Sequence, residues 1–339
     1  MPGGSAQVTT LNDGIFAVDT EYTRPMQDAS HLIVEGARAA FVDTGTNDSV
    51  PLLLDALRQR GLDAADVDFI FLTHVHLDHA GGAGLLMQRL PNASCVIHPR
   101  GAPHMIDPAR LIKGTEGVYG VARTREMYGE LRPIDEQRIV VASDDGWIDF
   151  NGRRMQTLFT EGHARHHYCL FDPKSRGVFT GDNFGVSYRE LDTANGEFIF
   201  PTSTPASFDP VEAHKSVDRI MACDPEQLYL THYSRVRDLP RLAADMHAGI
   251  DAFAEMALAH RDASDRGKAI ETAMRDHLSA RLVAHGFRGD SDAIRSVIDI
   301  DVVLNAAGLV SWLERLDSCL LYTSDAADEF CHGGGGGGG

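Results

Sequence analysis

The chain has 339 residues, and its 31 lysine and arginine residues against 49 aspartate and glutamate residues give a formal charge of −18. Nucleic acid and anionic membrane surfaces are disfavoured as partners, because both repel an acidic protein. With 43% hydrophobic and 24% charged residues, the composition is typical of a globular protein and excludes a disordered or collagen-like chain. No apolar run appears long enough for a membrane span and residues 1–5 lack signal-peptide features, so we expect a cytoplasmic protein.

Short apolar runs separated by turns predict three initial strands, at residues 15–18, 31–34 and 39–42. A helix is expected from Asn47 or Asp48 to about Arg60, because either residue can cap a helix with Pro51 in its first turn. Residues 67–72 are almost wholly apolar, which is typical of a strand buried on both faces. Helices are predicted at residues 83–90 and 210–221, and strands at residues 95–98, 139–141, 147–150, 155–159, 168–171, 178–180 and 227–230.

The strand pattern stops after Asp238, and apolar positions then recur at helical spacing within residues 239–260, 268–285 and 293–315. We therefore predict a mixed α/β domain over 1–238 and a helical C-terminal extension over 239–317, which covers a cleft or forms a homodimer surface. After about residue 317 the helical pattern breaks, and the chain ends in seven glycines. We interpret residues 318–339 as a non-native tail that resembles a translated sequencing adapter, with a natural glycine-rich linker as the alternative.

The segment that carries the chemistry directly follows the buried strand at residues 67–72. It contains His74, His76, Asp78 and His79 within six residues. A loop at a strand end can turn all four side chains toward one point, and imidazole nitrogen with carboxylate oxygen suits zinc, iron or manganese. The spacing therefore predicts a metal site rather than a polar loop with scattered histidines.

Further ligands are expected elsewhere, because one loop cannot complete two metal sites. His163, His167, Asp182 and His232 each lie just past a predicted strand, where open α/β sheets gather their ligands. A lone His232 would more often be a surface histidine. The recurrence of a ligand type after successive strands favours a shared site. The absence of a Cys-x-x-Cys pair argues against a thiolate site.

These residues resemble the metallo-β-lactamase superfamily, in its glyoxalase II-like hydrolase branch, over about residues 8–236. The resemblance implies an α/β fold, a four-layer αβ/βα sandwich, and two divalent metal ions, with zinc expected and iron or manganese as alternatives. It implies that Asp43 and His167 support the ligands from behind. The implied ligands are His74, His76 and His163 for one ion, Asp78, His79 and His232 for the other, and Asp182 as the bridge.

The activity implied is hydrolysis of a small ester, thioester or lactone by a hydroxide that bridges the metals, with Asp78 and Asp182 holding the ions and orienting the nucleophile. Residues 185–189 depart from the glutathione-binding loop of glyoxalase II, so the question whether the substrate is a glutathione thioester stays open. The alternative activity is a sulfur dioxygenase-like oxidoreductase, with a single Fe(II) on His74, His163 and Asp182. A non-catalytic metal-binding scaffold is a third reading.

Two irregular segments are candidate walls of the active site. Residues 183–208 have no periodic pattern, and we expect them to form a mobile lid in which Tyr188 and Arg189 contact the small-molecule substrate. Residues 105–132 form the second candidate wall.

Overall fold

Two β-sheets form the centre of the fold. The computed structural model describes residues 5–203, 205 and 207–331, with side chains as far as Ser318. The first sheet has seven strands in chain order, antiparallel from the first to the fourth and parallel from the fourth to the seventh. These strands are β1 Val8–Thr10, β2 Ile15–Asp19, β3 Ala29–Glu35, β4 Arg38–Val42, β5 Val67–Phe71, β6 Ser94–Ile97 and β7 Ile139–Val141.

The second sheet has six strands and is antiparallel except for one parallel pair, β11 with β12. Its strands lie in the spatial order β13-β12-β11-β10-β9-β8. They are β8 Gly146–Phe150, β9 Arg153–Phe159, β10 Tyr168–Asp172, β11 Gly177–Gly181, β12 Gln227–Leu230 and β13 Ser234–Val236.

Helices connect and cover the sheets. Asp209 caps the helix that connects the parallel strands β11 and β12, because its side chain accepts hydrogen bonds from the backbone N–H groups of Val211 and Glu212. The helices are α1 Val50–Gln59, α2 Leu77–Ala80, α3 Ala83–Arg89, α4 Ala102–Ile106, α5 Ala109–Tyr119, α6 Val121–Tyr128, α7 Pro210–Met221, α8 Leu239–Ala259, α9 Arg266–Ala284 and α10 Ser291–Cys331.

The hydrophobic core lies in three layers between these elements. Ile33 and Phe71 of the first sheet are buried with Leu170 and Phe179 of the second, between the facing sides of the sheets. Because alternate strand residues point to opposite faces, the remaining apolar residues form two outer clusters, one with α1 and α3 and one with α7. The predicted four-layer sandwich is confirmed, and the predicted strands agree with the observed ones to within two residues.

The helical C-terminal portion, α8 to α10, packs beside the second sheet and shares its outer hydrophobic cluster. The predicted break at residue 318 does not end the helix, since the backbone of α10 stays helical to Cys331. Residues 332–339, which hold the glycine run, lie outside the described residues.

Within the described residues, Ser291–Ser318 is long and apolar enough to cross a membrane by length and composition alone, so the expectation of no such run is wrong. In the fold this segment buries one face. Ile294, Ile298, Val302 and Leu309 recur at helical spacing and are buried against the other helices.

The described residues within 183–208 form no helix or strand beyond one short 3-10 turn, Arg189–Leu191. Their aromatic side chains are nevertheless buried in the cluster beneath α8 to α10, among them Phe184, Tyr188 and Phe200. The expectation of a mobile lid is wrong where these aromatic residues lie, because lifting them out of the cluster would expose several large apolar side chains to water.

Candidate metal centre

The strand ends of both sheets carry the candidate ligands to one edge of the sandwich. The loop after β5 holds His74 and His76 and leads into α2, which contains Asp78 and His79. From the second sheet, His163 lies in the loop between β9 and β10.

The last two ligands follow neighbouring strands of the second sheet. Asp182 comes directly after β11, and His232 lies in the short connection between β12 and β13. Because β11 and β12 are parallel, their carboxyl ends meet at the same edge. This pairing places a carboxylate beside an imidazole although about fifty positions of chain separate them.

The donor atoms of these residues converge in three overlapping groups, and within each group they lie within 4.8 Å of one another. His163 Nε2 and His76 Nδ1, for example, are 3.0 Å apart. The sequence-predicted ligands therefore meet at one centre. The groups are His74, His76 and His163; His74, His79 and Asp182; and Asp78, His79 and His232.

Asp182 lies between the two sides of this centre. Its Oδ1 is 3.0 Å from His79 Nε2 and 3.4 Å from His232 Nε2. Its Oδ2 is 3.4 Å from His163 Nε2, on the other side. One carboxylate oxygen thus faces each predicted metal position.

Asp43 supports the loop of ligands from behind. Its Oδ2 is 2.8 Å from His79 Nδ1 and accepts a hydrogen bond from Thr231 Oγ1 at 3.0 Å. Its Oδ1 accepts from the Thr73 N–H at 2.9 Å. Because a carboxylate only accepts, His79 carries its hydrogen on Nδ1 and presents the lone pair of Nε2 to the centre.

Two further polar side chains lie against the outer nitrogens of candidate ligands, and sequence reasoning missed both. His163 Nδ1 is 2.8 Å from Thr202 Oγ1, and His232 Nδ1 is 2.7 Å from Asp28 Oδ1. Burial raises the pKa of Asp28 to about 6, against the opposing effect of His232. The sequence offers only a weak signal for Asp28, a polar residue at the start of an apolar strand.

His167 reaches the centre from behind Asp182. Its Nε2 accepts a hydrogen bond from the Asp182 backbone N–H at 3.3 Å, and its Nδ1 lies 3.0 Å from Thr160 Oγ1. Gly181, at φ +49°, allows this approach, since a Cβ there would come within 2.5 Å of His167 Nε2. His167 is therefore placed to fix the backbone that presents Asp182.

Burial and charge set the protonation of the site. Burial lowers the pKa values of His74 and His163, so both imidazoles are neutral, as metal ligands must be. Burial opposes a charged His79 and a charged His232, but nearby carboxylates outweigh it and raise both pKa values. Burial likewise opposes a charged Asp182, and the imidazoles of His79, His232 and His163 outweigh it and hold its pKa well below the usual range.

The donor set fits divalent metal ions. His74 Nε2, His79 Nε2 and Asp182 Oδ1 are buried and have no hydrogen-bond partner among the described residues. His79 Nε2 and Asp182 Oδ1 approach to 3.0 Å without the alignment of a hydrogen bond. Buried polar atoms that converge without hydrogen bonds are expected where a cation is the common partner.

The open side of the centre is at Asp78, whose side chain is 24% exposed, against 5% for Asp182. The Asp78 carboxylate acts electrostatically on three tyrosines that the sequence did not single out. Tyr22 and Tyr128 have their hydroxyl oxygens 2.8 Å apart. Burial first and the Asp78 carboxylate second raise the pKa values of both phenols and raise that of Tyr119 to about 12. Tyr119 and Tyr128 belong to α5 and α6, and a substrate-facing wall at 105–132 stays a prediction.

The two predicted substrate contacts after Asp182 have other partners. Tyr188 is fully buried, and its hydroxyl donates to Asp301 Oδ1 of α10 at 3.1 Å, so direct contact with substrate does not fit its position. Arg189 donates to Ser187 in its own loop and pairs with Asp192. A substrate contact by the partly exposed Arg189 stays a prediction.

The model of the metallo-beta-lactamase superfamily matches residues 23–232. This chain belongs to the metallo-beta-lactamase superfamily. The crystal structure of an archaeal member from Sulfolobus tokodaii has the same fold, with a TM-score of 0.59 at 20% identity, over 88% of this chain and 99% of that chain.

Curated relatives are similar over part of their length. A metallo-beta-lactamase fold-containing protein of Sulfurisphaera tokodaii is 28% identical over 168 residues, 49% of this chain and 60% of that protein. A hydroxyacylglutathione hydrolase of a Synechococcus species is 30% identical over 44% of each chain. An N-acyl homoserine lactonase of Agrobacterium fabrum is 27% identical over 41% of this chain and 54% of its own. The matched region thus spans 44% to 60% of these relatives.

Proposed function

We propose that the protein is a binuclear metal hydrolase of the glyoxalase II-like group and that it acts on a small ester, thioester or lactone. The observation that carries this proposal is the position of Asp182, with one oxygen toward His79 and His232 and the other toward His163. A carboxylate shared in this way neutralises part of the repulsion between two neighbouring cations.

Two divalent ions held side by side activate water at neutral pH and polarise a carbonyl oxygen. The chain contributes buried imidazoles whose outer nitrogens lie against Asp43, Asp28 and Thr202. Asp78 lies at the open side, where its carboxylate can accept a proton released near the substrate. The phenols of Tyr22 and Tyr128 lie beside it and can donate hydrogen bonds to a polar substrate group.

The names of the relatives support the substrate classes without choosing among them, since one is a thioester hydrolase and another a lactonase. Glutathione recognition has little support at residues 185–189, because Tyr188 is buried and bonded to Asp301. A thioester or lactone that enters past Tyr22 and Tyr128 fits the open side better.

A single-iron oxidoreductase needs only His74, His163 and Asp182. The further group of Asp78, His79 and His232, with donor atoms within 4.8 Å of one another, favours a second ion. The hydrolase is therefore the function that we favour.

The test measures metal per chain and hydrolysis of a panel of thioesters, lactones and phosphoesters, for the wild type, Asp182→Asn and a control, Asp48→Asn. Asp48 is exposed and has no hydrogen bond or ion pair in the part of the chain that the structure describes. We expect two ions and hydrolysis of a carbonyl ester in the wild type and the control, with both reduced in Asp182→Asn. One iron per chain, with oxygen uptake in the presence of a persulfide and no hydrolysis, would contradict the proposal.

A further inference from the structure

A second group of histidines lies on the surface between α7 and α8, away from the metal centre. Each of these helices carries a histidine followed four residues later by an aspartate, His214 with Asp218 on α7 and His247 with Asp251 on α8. Residues four apart lie one above the other on a helix, so each pair shares a helix face.

The four side chains pair across the two helices. His214 Nε2 on α7 is 3.0 Å from Asp251 Oδ1 on α8. His247 Nε2 on α8 is 3.2 Å from Asp218 Oδ1 on α7. The two imidazole rings are nearly parallel, at 9°, and their Nδ1 atoms are 2.7 Å apart.

This arrangement leaves two lone pairs facing each other. Ionised aspartates only accept hydrogen bonds, so Asp251 holds a hydrogen on Nε2 of His214, and the Asp218 carboxylate 3.2 Å away favours one on Nε2 of His247. In a neutral imidazole the other nitrogen, Nδ1, then has a lone pair and no hydrogen. Two such nitrogens at 2.7 Å repel each other unless a cation lies between them, either a proton or a metal ion.

We propose that His214 and His247 bind a divalent metal ion of the zinc, nickel and copper group through their Nδ1 atoms. Imidazole suits these metals, and a ligand histidine typically donates its other ring N–H to a carboxylate. Asp251 and Asp218 are in that supporting position. Zn–N bonds of about 2.0–2.1 Å in tetrahedral geometry separate two nitrogens by about 3.3 Å, which a small rotation of the rings provides.

The site is open to solvent and separate from the metal centre. The side chains of His214 and His247 are 29% and 33% exposed, and those of the two aspartates are more exposed, so an ion can enter and water can complete its coordination. With only two protein ligands, we expect weaker binding than at the centre. An ion there would tie α8, the first helix of the C-terminal extension, to α7.

The experiment titrates ZnCl2 into protein whose metal centre is already loaded and follows binding by calorimetry. We expect one additional, weaker site that is lost in both His214→Ala and His247→Ala. Asp218→Asn and Asp251→Asn should weaken it by roughly 10–100-fold, as loss of a supporting carboxylate does. His260→Ala, at the end of α8, is the matched control and should keep the site.

Zinc should also raise the melting temperature of the His260→Ala control but not that of the His214→Ala variant. The absence of additional saturable binding, or binding that persists in both histidine variants, would overturn the proposal. The proposal would also be overturned if His214 and His247 share only a proton, which would show as a melting temperature that depends on pH and is unchanged by excess zinc. Asp182→Asn should lose hydrolysis but retain zinc binding at His214 and His247. Failure of the surface-site proposal is therefore distinguishable from failure of the proposed hydrolase function.

Discussion

Replacing Asp43 by asparagine tests how the chain prepares His79 as a ligand. Asparagine keeps the shape of the side chain, but an NH2 group that donates hydrogen bonds replaces one accepting oxygen. Asp43 Oδ2 faces His79 Nδ1 at 2.8 Å, and Oδ1 accepts from the Thr73 N–H at 2.9 Å. The new NH2 must therefore face one of these two groups.

Either orientation has a cost. If the NH2 faces His79, Nδ1 must accept and the ring hydrogen moves to Nε2, which removes the lone pair aimed at the metal. If the NH2 faces Thr73, a buried N–H loses its acceptor, which costs about 1–3 kcal/mol. Loss of a supporting carboxylate lowers metal affinity by roughly 10–100-fold, or about 1.4–2.8 kcal/mol. We expect the ion held by Asp78, His79 and His232 to bind roughly 10–100-fold more weakly, while the ion held by His74, His76 and His163 is retained.

Competition with a chelator measures this effect, as ions released per chain against chelator concentration. The wild type and Asp48→Asn should release both ions at the same concentrations, and Asp43→Asn should release one ion earlier. A folded Asp43→Asn protein that holds both ions with wild-type affinity would refute the argument from the His79 tautomer.

Three further predictions follow from the same structure. Asp182→Asn should lower metal occupancy and reduce turnover by orders of magnitude, and full occupancy with normal hydrolysis in this variant would exclude the bridge. His163→Ala and His232→Ala should each release a different ion. Deleting the residues after Asp317 should leave melting temperature and activity unchanged, and a large drop would show that the rest of α10 is needed. In the metal-free protein, His79 and His232 stay protonated above pH 6.5, where the unfolded chain has released those protons. Its melting temperature should therefore fall as the pH rises above 6.5, and saturating metal should remove that fall.

The sandwich could be predicted because its strands have strong local signals. Residues 67–72 are nearly all apolar, and β5 is buried at Val67 and from Ile70 onward. Two of the three-residue strands, β1 and β13, were missed, because three residues do not establish a period. Helices α5 and α6 were also missed, and α5 buries no residue fully.

The convergence of the candidate metal ligands could be predicted because each follows a strand, but two of the side chains that contact them, Asp28 and Thr202, could not. Asp28 precedes an apolar run and Thr202 lies in an irregular segment, so neither has a local pattern that links it to a histidine far along the chain. Tyr188 shows the opposite error. An aromatic residue in a long loop suggested a substrate contact, while its burial against α10 is a tertiary fact that the local sequence does not contain.

The hydrogen bond from Thr231 to Asp43 joins residues 188 positions apart. During synthesis, the loop that holds His74 to His79 therefore emerges long before the strand end that supplies His232. The group of Asp78, His79 and His232 is complete only after the two sheets have docked. An ion bound there would cross-link the first and last parts of the sandwich. Metal should accordingly stabilise the folded form by a free energy that grows with the logarithm of the metal concentration.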